Sequence, residues 1–411
     1  MVIALLLPSC QNTTPGPGAY PPPKPALEKE YTRITAATGG TVGDLHAARQ
    51  TISSLMSQGK IINQEMLDAL STSKDWVILE SMRLKSSEGL KDASVIADLI
   101  DTLKAVELKL QERRAQKVDE MLRAKIEAEL SASLNYLRLM LDLLNRLYAI
   151  DRQTGDIYEY SEGTGSWTNV GEPGKMFAVD FAGRLFSLSV GGKSVYRYDN
   201  QPMKWTQIGG AAAKIYAGGT RLFTTNPRTG DIYEYGGNTD PWTRIGGPGE
   251  MFSVDAQGQL YGLSVGGNSV YRYDNQPMKW TQIGGAAAKI YAGGNRLFAT
   301  NPQTGDIYGY SGDTDSWTRI GGPGEMFSVG AQGQLYGLSV GGKSIYRYDN
   351  QPMKWSQIGG AAATIYARGL RLFATDTQKG TISMYDAWTG AWTNIGGAGK
   401  MFISGADNGI F

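Results

Sequence analysis

Two patterns of hydrophobic and polar positions divide the chain near residue 145. Before this point apolar residues recur every three or four positions, which predicts amphipathic helices. After it, short runs of alternating apolar and polar residues are separated by Gly, Pro, Asn and Asp, which predicts short strands joined by turns. The sequence therefore predicts an α + β multidomain protein, with a helical part over 27–145 and an all-β part over 146–411.

The helical part begins with two separate segments. Residues 42–56 have a helical pattern that ends before Gly59, and residues 63–85 form a second segment in which Asn63 is a candidate N-cap. Ser86-Ser87-Glu88-Gly89 ends this segment, and from Leu90 the pattern runs to Ile150 without Gly or Pro. The polar stretch 111–117 inside it is either a turn between two antiparallel helices or an exposed heptad.

Part of this long stretch has the spacing of a coiled coil. Four apolar residues follow one another at intervals of 4, 3 and 4 positions, as the a and d positions of a heptad repeat do; they are Leu99, Leu103, Val106 and Leu110. The spacing predicts a helical bundle or a coiled-coil stalk. Its apolar stripes are either core within the chain or, over 90–145, a surface for self-association or for a larger assembly.

The all-β part is a repeat. The motif Trp-(Thr/Ser)-x-(Ile/Val)-Gly occurs seven times, at intervals that alternate between 38 and 37 residues. Three further strand-like runs lie between one tryptophan and the next, and four short strands at this period are typical of a propeller blade. The seven tryptophans are Trp167, Trp205, Trp242, Trp280, Trp317, Trp355 and Trp392.

The two ends of the repeat region complement each other. Residues 146–150 and 156–160 match the second and third strands of a blade that has no first strand before it. Residues 400–404 match a first strand with little after it. The sequence therefore predicts a seven-bladed propeller that the C-terminal strand closes, an arrangement that leaves few free strand edges.

A second period of 75 residues lies on top of the first. Residues 194–219 recur letter for letter at 269–294, and a slightly altered copy spans 344–368. Each copy contains a turn with an aromatic pair, an Asp-Asn pair and a lysine. Sugars bind to an aromatic face through their C–H groups and to planar amide or carboxylate groups through their hydroxyls. The candidate carbohydrate-binding residues are Tyr198, Asp199, Asn200, Lys204, Trp205, Tyr273, Asp274, Asn275, Lys279, Trp280, Tyr348, Asp349, Asn350, Lys354 and Trp355.

Recent duplication explains the same letters without any binding. In that interpretation each tryptophan packs between blades, and Asp-Asn followed by Gln-Pro is ordinary turn chemistry. The alternation of blades implies three near-identical sites or none. Three weak sites would gain affinity together on a dense glycan surface.

Composition excludes several classes of function. The 40 basic residues nearly balance the 39 acidic ones, so no nucleic-acid-binding surface is indicated. One Cys and one His exclude a disulfide within the chain and a Cys/His metal cluster, and His46 alone would have to serve a Ser-His or Cys-His site. Calcium at Asp313 and Asp315 has only weak support from spacing. We expect a protein that is not an enzyme and has no cofactor or metal.

The N-terminal leader, 1–26, resembles an export signal. Its first ten residues are an apolar run ending in Leu-Pro-Ser-Cys, similar to the end of a bacterial lipoprotein signal, after which Cys10 would become the acylated N-terminus. Residues 11–25 are a Pro-rich tether. The alternative is a disordered leader with a chance cysteine. A lipid on Cys10 would be the only membrane attachment, since no run of 18 apolar residues is present.

The repeat itself resembles a known family. The Trp-Thr-x-Ile-Gly-Gly strand, followed by an Ile/Phe-rich strand and Gly-x-Leu-Tyr-x-Leu, is similar to the tectonin β-propeller repeat, and the resemblance covers 146–411. Members of that family are mostly lectins of innate defence and of glycan recognition, some of which bind methylated sugars on lipopolysaccharide. The resemblance implies a protein that binds glycans or lipopolysaccharide-like carbohydrate.

Two functions follow as expectations. The first is a multivalent lectin-like protein, secreted or in the cell envelope, with a helical stalk for anchoring or oligomerisation. The second is a non-enzymatic assembly protein of an envelope, or of a particle in the cytoplasm, that uses the propeller as a protein-binding platform. Fold alone does not decide between them.

Overall fold

The structure is a computed structural model in which two compact units, Met1–Leu143 and Leu144–Phe411, are distinguished. The predicted leader, with Cys10, lies outside the described residues. No helix in the described part of the chain is long and apolar enough to cross a membrane. The described residues are 45–85, 94–112, 120–144, 146–151, 153–161, 164–181, 183–237, 242–330, 333–369, 371–387 and 390–402.

Signals at their ends define the first two helices. The backbone N–H of Gly59, at a φ of 71°, donates to the carbonyl of Met56, and the N–H of Lys60 donates to the carbonyl of Leu55, a Schellman motif. The predicted N-cap is confirmed, because Asn63 Oδ1 accepts from the N–H of Met66 at 2.7 Å. The helices are α1 (Leu45–Ser57), α2 (Gln64–Lys85), α3 (Ser94–Glu112) and α4 (Glu120–Leu144).

Helices α3 and α4 are two helices in contact, not one continuous helix. Arg123 Nη2 donates to the carbonyl of Leu110 at 3.1 Å. In a single helix these residues would be about 20 Å apart along the axis at 1.5 Å per residue. This contact favours the first of the two interpretations of the polar stretch, although residues 113–117 lie outside the described part.

The core of the helical unit contains the residues with coiled-coil spacing. Leu99, Leu103, Val106 and Leu110 are at most 3% exposed. A partly buried ion pair, Lys74 Nζ to Glu129 Oε2 at 2.7 Å, links α2 to α4. The apolar stripe of α3 is therefore covered within the chain itself.

The second unit consists of short antiparallel strands. Three of them, β11, β18 and β25, are long enough to serve as the outer strand of one blade and the inner strand of the next. The strands are β1 (Leu147–Asp151), β2 (Ile157–Ser161), β3 (Ser166–Gly171), β4 (Gly174–Val179), β5 (Leu185–Ser189), β6 (Val195–Tyr198), β7 (Trp205–Gly209), β8 (Ile215–Gly218), β9 (Arg221–Thr225), β10 (Asp231–Glu234), β11 (Thr243–Val254), β12 (Leu260–Ser264), β13 (Val270–Tyr273), β14 (Trp280–Gly284), β15 (Lys289–Gly293), β16 (Arg296–Thr300), β17 (Asp306–Ser311), β18 (Ser316–Val329), β19 (Leu335–Ser339), β20 (Ile345–Tyr348), β21 (Trp355–Gly359), β22 (Thr364–Arg368), β23 (Arg371–Thr375), β24 (Thr381–Asp386) and β25 (Trp392–Phe402).

Four consecutive strands pair into each propeller blade. The blades are β4–β7, β8–β11, β11–β14, β15–β18, β18–β21 and β22–β25. Strands β1 to β3 form a further group, and the end of β25 adds to it as the closing strand, residues 399–402. Its register places Ala149 opposite Phe402 and Ile150 opposite Met401. A C-terminal strand thus lies beside β1, where the sequence predicts one.

The repeated tryptophans link each blade to the one before it. Six of the seven indole N–H groups donate to a backbone carbonyl 34 or 35 residues earlier, as Trp280 Nε1 does to Ile245 at 2.8 Å. Trp167 forms the same kind of bond, but its partner, the carbonyl of Ile395 at 3.0 Å, comes later in the sequence. Each tryptophan also packs on a tyrosine of its own blade, with ring centroids 5.1–5.2 Å apart.

The glycine at the end of the motif has a packing reason. A Cβ added to Gly246 would lie 2.7 Å from Nε1 of Trp280, the tryptophan of the following blade. The same contact recurs at Gly171, Gly209, Gly284 and Gly321, at 2.7–2.9 Å. The tryptophan and the glycine of the motif therefore recur together because they meet at the contact between successive blades.

Candidate ligand-binding turns

Three turns with the same conformation connect the third and fourth strands of alternate blades. The first lies between β6 and β7, where the N–H of Asp199 donates to the carbonyl of Lys204 at 3.0 Å. Asn200 and Met203 have φ angles of 56° and 63°, in the left-handed region that Asn tolerates and Met seldom adopts. The other two turns, 273–280 and 348–355, repeat these angles to within 1°.

The tyrosine and tryptophan of each predicted site lie in the packing between blades. Tyr198, Tyr273 and Tyr348 are only 2–3% exposed. The indole N–H groups of Trp205, Trp280 and Trp355 are bound to carbonyls of the preceding blade. These side chains therefore hold the turns in position. The tyrosine rings are buried, and each half-buried tryptophan packs on the tyrosine of its own turn.

Only some of the polar groups of the turns form hydrogen bonds. Asp199 Oδ2 accepts from Thr206 Oγ1 at 2.8 Å, and Asp274 and Asp349 have the equivalent bonds. The carboxamide oxygens of Asn200, Asn275 and Asn350 accept from arginines of the preceding blade. Among the described residues, their Nδ2 groups have no hydrogen-bond partner, and neither do the exposed ammonium groups of Lys204, Lys279 and Lys354.

A methionine lies at the tip of each turn and is not among the binding residues that the sequence predicts. Met203, Met278 and Met353 are each 53% exposed, while their backbone N–H groups are bound to the preceding blade. The sequence contains a sign of this exposure, because the methionine is an apolar residue in a turn that is otherwise polar and occurs three times. Each turn thus presents an apolar side chain beside an amide donor and an ammonium group, which suits the C–H and hydroxyl groups of a sugar.

The opposite ends of the same strands also carry exposed apolar residues. Val190, Val265 and Val340 are 60–69% exposed in the Val-Gly-Gly turns that precede β6, β13 and β20. Each of these strands has four residues, with the valine turn at one end and the methionine turn at the other. The two sets therefore lie on opposite faces of the propeller.

The inner strands line a narrow axial cavity that is open to solvent. Its volume is about 40 Å³, enough for about three water molecules at roughly 10–15 Å³ each. Arg368 lines it and donates from Nε to the carbonyl of Arg146 and from Nη2 to the carbonyl of Asp180, both at 2.9 Å. Burial raises the pKa of Asp255, also in this lining, to about 6. A sugar ring does not fit here, so the surface turns remain the candidate site.

A model of a known protein family matches the repeat unit. The tectonin domain model matches residues 143–312 and 212–411, which together are more than half of the chain. The chain belongs to the tectonin family. The match does not include the residues before 143. No curated protein matches the sequence.

The solved structures that are similar to this chain are distant from it in sequence. An extracellular domain of a hybrid two-component system from B. thetaiotaomicron has 10% identity and a TM-score of 0.39, with 56% of this chain and 36% of that chain covered. YCF48 bound to D1 peptide has 14% identity and a TM-score of 0.41, with 57% and 87% covered. Dihydro-heme d1 dehydrogenase NirN has 15% identity and a TM-score of 0.43, with 61% and 63% covered. At these TM-scores, none of the likenesses bears on what this chain binds.

Proposed function

We propose that the tectonin unit is a multivalent, metal-independent carbohydrate-binding module without catalytic activity. The observation that carries this proposal is the threefold recurrence of one turn, with the same backbone angles and the same exposed groups. At the first turn the sugar lies on the Met203 side chain, and its hydroxyls accept from Asn200 Nδ2 and Lys204 Nζ. Tyr198 and Trp205 act as positioning residues that fix the turn.

The arrangement of the turns supports avidity. We propose that the propeller closes as a ring of seven blades, supported by the pairing of the closing strand with β1 and by the Trp167 bond to Ile395. The three turns then lie on one face, two blades apart. Simultaneous binding at linked sites raises affinity by about 10²–10⁴-fold over a single site. Weak individual sites are therefore sufficient on a surface dense in glycan.

The leader, 1–26, suggests where the protein is located. We place the protein in the cell envelope or outside the cell, attached through a lipid on Cys10, with glycan or lipopolysaccharide as the partner. Mass spectrometry of the mature N-terminus tests this directly. An acylated Cys10 is expected, and an intact Met1 on soluble protein would contradict it.

A second candidate function rests on the exposed methionines and valines. Met side chains adapt to differently shaped partners and are common on protein-binding surfaces. The propeller would then be a platform for assembly proteins, within an envelope or particle complex. The same three turns, with Met203, Met278 and Met353 exposed, would then contact a protein partner in place of a glycan.

Binding of the full-length protein to a glycan panel and to lipopolysaccharide separates the two. Replacing Lys204, Lys279 and Lys354 together with alanine should abolish surface binding, while each single change should weaken it only modestly. The matched control is the triple change of Val190, Val265 and Val340 to serine on the opposite face, which should leave binding intact. Undiminished binding by the triple lysine variant would place the site elsewhere, and no glycan binding by the parent protein would favour the assembly function.

A further inference from the structure

Four arginines recur every 75 residues at the start of the second strand of alternate blades, or directly before it, and one of the four differs from the others. Arg146 Nε lies 3.3 Å from Glu159, Arg221 Nε lies 2.6 Å from Glu234, and Arg371 Nη1 lies 2.6 Å from Asp386. Among the described residues, no carboxylate lies within ion-pair distance of the fourth arginine, Arg296.

The carboxylate is missing because a glycine stands where the Arg221 blade has a glutamate. Glu234 lies opposite Phe223 in the ladder of its blade, and Gly309 lies opposite Phe298 at the equivalent register. In sequence the difference is Asp-Ile-Tyr-Glu-Tyr against Asp-Ile-Tyr-Gly-Tyr. Gly309 is not in the left-handed region, so its backbone conformation does not require glycine.

Arg296 keeps its position without the carboxylate. Its guanidinium carbon lies 4.9 Å from the centre of the Phe298 ring and 5.8 Å from that of Tyr348. The corresponding distances for Arg221, which has its glutamate, are 4.9 and 5.6 Å, to Phe223 and Tyr273. Two aromatic rings therefore orient the cation before any anion binds.

The hydrogen bonds of Arg296 leave one side of the guanidinium available. Nη1 donates to Asn350 Oδ1 at 2.5 Å and to the carbonyl of Gly333 at 3.3 Å. Nε and Nη2 have no partner among the described residues, and Nε is the atom that contacts the glutamate in the Arg221 pair. Nε and Nη2 together form the fork that binds a carboxylate in a bidentate manner.

Space for an anion is present beside this fork. A Cβ added to Gly309 would meet nothing closer than 3.6 Å, and those atoms belong to Ile320 and Phe298. The glutamate that fills the equivalent space is 24% exposed, so the position is open to solvent. Burial lowers the pKa of Arg296 from its ordinary value, but arginine remains charged at neutral pH. An uncompensated, partly buried cation gains from an anion that replaces its lost hydration.

We propose that the Arg296–Gly309 notch, formed by these two residues with Asn350, binds the carboxylate of an acidic sugar residue. The group that occupies the same place in the Arg221 blade is a carboxylate, which favours that anion over a bulkier phosphate. Asn350 belongs to the third turn, so a uronic acid in the notch is continuous with a sugar on Met353 and Lys354. This inference rests on the proposed carbohydrate binding and makes the third turn selective for acidic glycans.

Calorimetry on the full-length protein tests the notch with two probes. These are trigalacturonate and its fully methyl-esterified, uncharged form. The parent should bind the acid more tightly than the ester. Gly309→Glu supplies the carboxylate from within, and it should lower affinity for the acid by about 10-fold or more, the loss expected for a charge-assisted pair, while leaving the ester unchanged.

The reverse change is the matched control. Glu234→Gly should create a second notch at Arg221 and raise the number or affinity of acid sites, with thermal melting to check that the blade stays folded. Equal binding of acid and ester by the parent, or a Gly309→Glu variant that keeps full preference for the acid, would overturn the notch alone. Binding of neither probe, nor of any glycan on the panel, would overturn the proposed function with it. Preference for a phosphorylated oligosaccharide over trigalacturonate would reject the carboxylate.

Discussion

The helical unit and the tectonin unit are stabilised in different ways. In the helices each specific contact occurs once, such as the cap on α2 by Asn63 or the Lys74–Glu129 ion pair. In the propeller one contact, a tryptophan N–H on the carbonyl of a neighbouring blade, occurs at all seven motifs. Repeat architectures derive their stability from such nearest-neighbour terms. A local change should therefore have uniform effects in the propeller and individual effects in the helices.

The largest effect is expected from removing the closing strand. Deleting 399–411 leaves β1 without the partner it has at Ala149 and Ile150, and exposes a strand edge. The propeller should lose about 3 kcal/mol or more, since several backbone hydrogen bonds at about 1 kcal/mol each and buried apolar area are lost together. Differential scanning calorimetry measures the shift, and deletion of 403–411 alone is the control. Equal melting of the two truncated proteins would show that the closing strand does not complete the ring.

An intermediate effect is expected from Trp280→Phe. The change removes the N–H bond to Ile245 and leaves a gap over Gly246, at a cost of about 1–3 kcal/mol. Because the contact is repeated, Trp317→Phe should cost the same to within about 0.5 kcal/mol. Urea denaturation followed by tryptophan fluorescence gives both values. Costs that differ several-fold would mean that the blades are not equivalent in energy.

The smallest effect is expected from Asn63→Ala in the helical unit. The loss of the N-cap bond to Met66 should cost about 1 kcal/mol. Asn63→Ser keeps a capping oxygen and should restore most of it. Helix unfolding is followed by circular dichroism at 222 nm, and propeller unfolding by tryptophan fluorescence in a Trp76→Phe background, because Trp76 lies in α2. A change in the propeller transition would contradict the local character of this contact.

The architecture could be predicted because its signals are local or repeated. The change from helical to strand pattern near 145, the cap at Asn63 and the interval between tryptophans all depend on neighbouring residues or on exact recurrence. Strand β1 and its C-terminal partner were found because a fixed template exposes a missing strand. The a/d spacing in α3 gave the buried face, and the structure shows that helices of the same chain cover it.

The orientation of the turn residues was decided by the tertiary structure. Tyr198 and Trp205 are residue types suited to binding a sugar, but Tyr198 is buried and Trp205 is half-buried, with its indole N–H bound to the neighbouring blade. Met203 points outward because its backbone N–H is bound to that blade and the left-handed conformation leaves its side chain in solvent. A sequence gives the order of side chains, whereas the packed neighbour determines which of them remain available.

Arg296, which has no carboxylate partner among the described residues, is a second case in which the tertiary structure was needed. The replacement of glutamate by glycine at Gly309 is visible in the sequence, because the other copies of the repeat provide the comparison. Its consequence is not visible, since it depends on Arg296, 13 residues earlier, and on Asn350, 41 residues later in the next blade. The sequence by itself determined the repeat and the glycine that stands where the Arg221 blade has a glutamate. Only the tertiary structure brought a preoriented guanidinium to the space that this glycine leaves, because charge compensation is a property of three-dimensional neighbours.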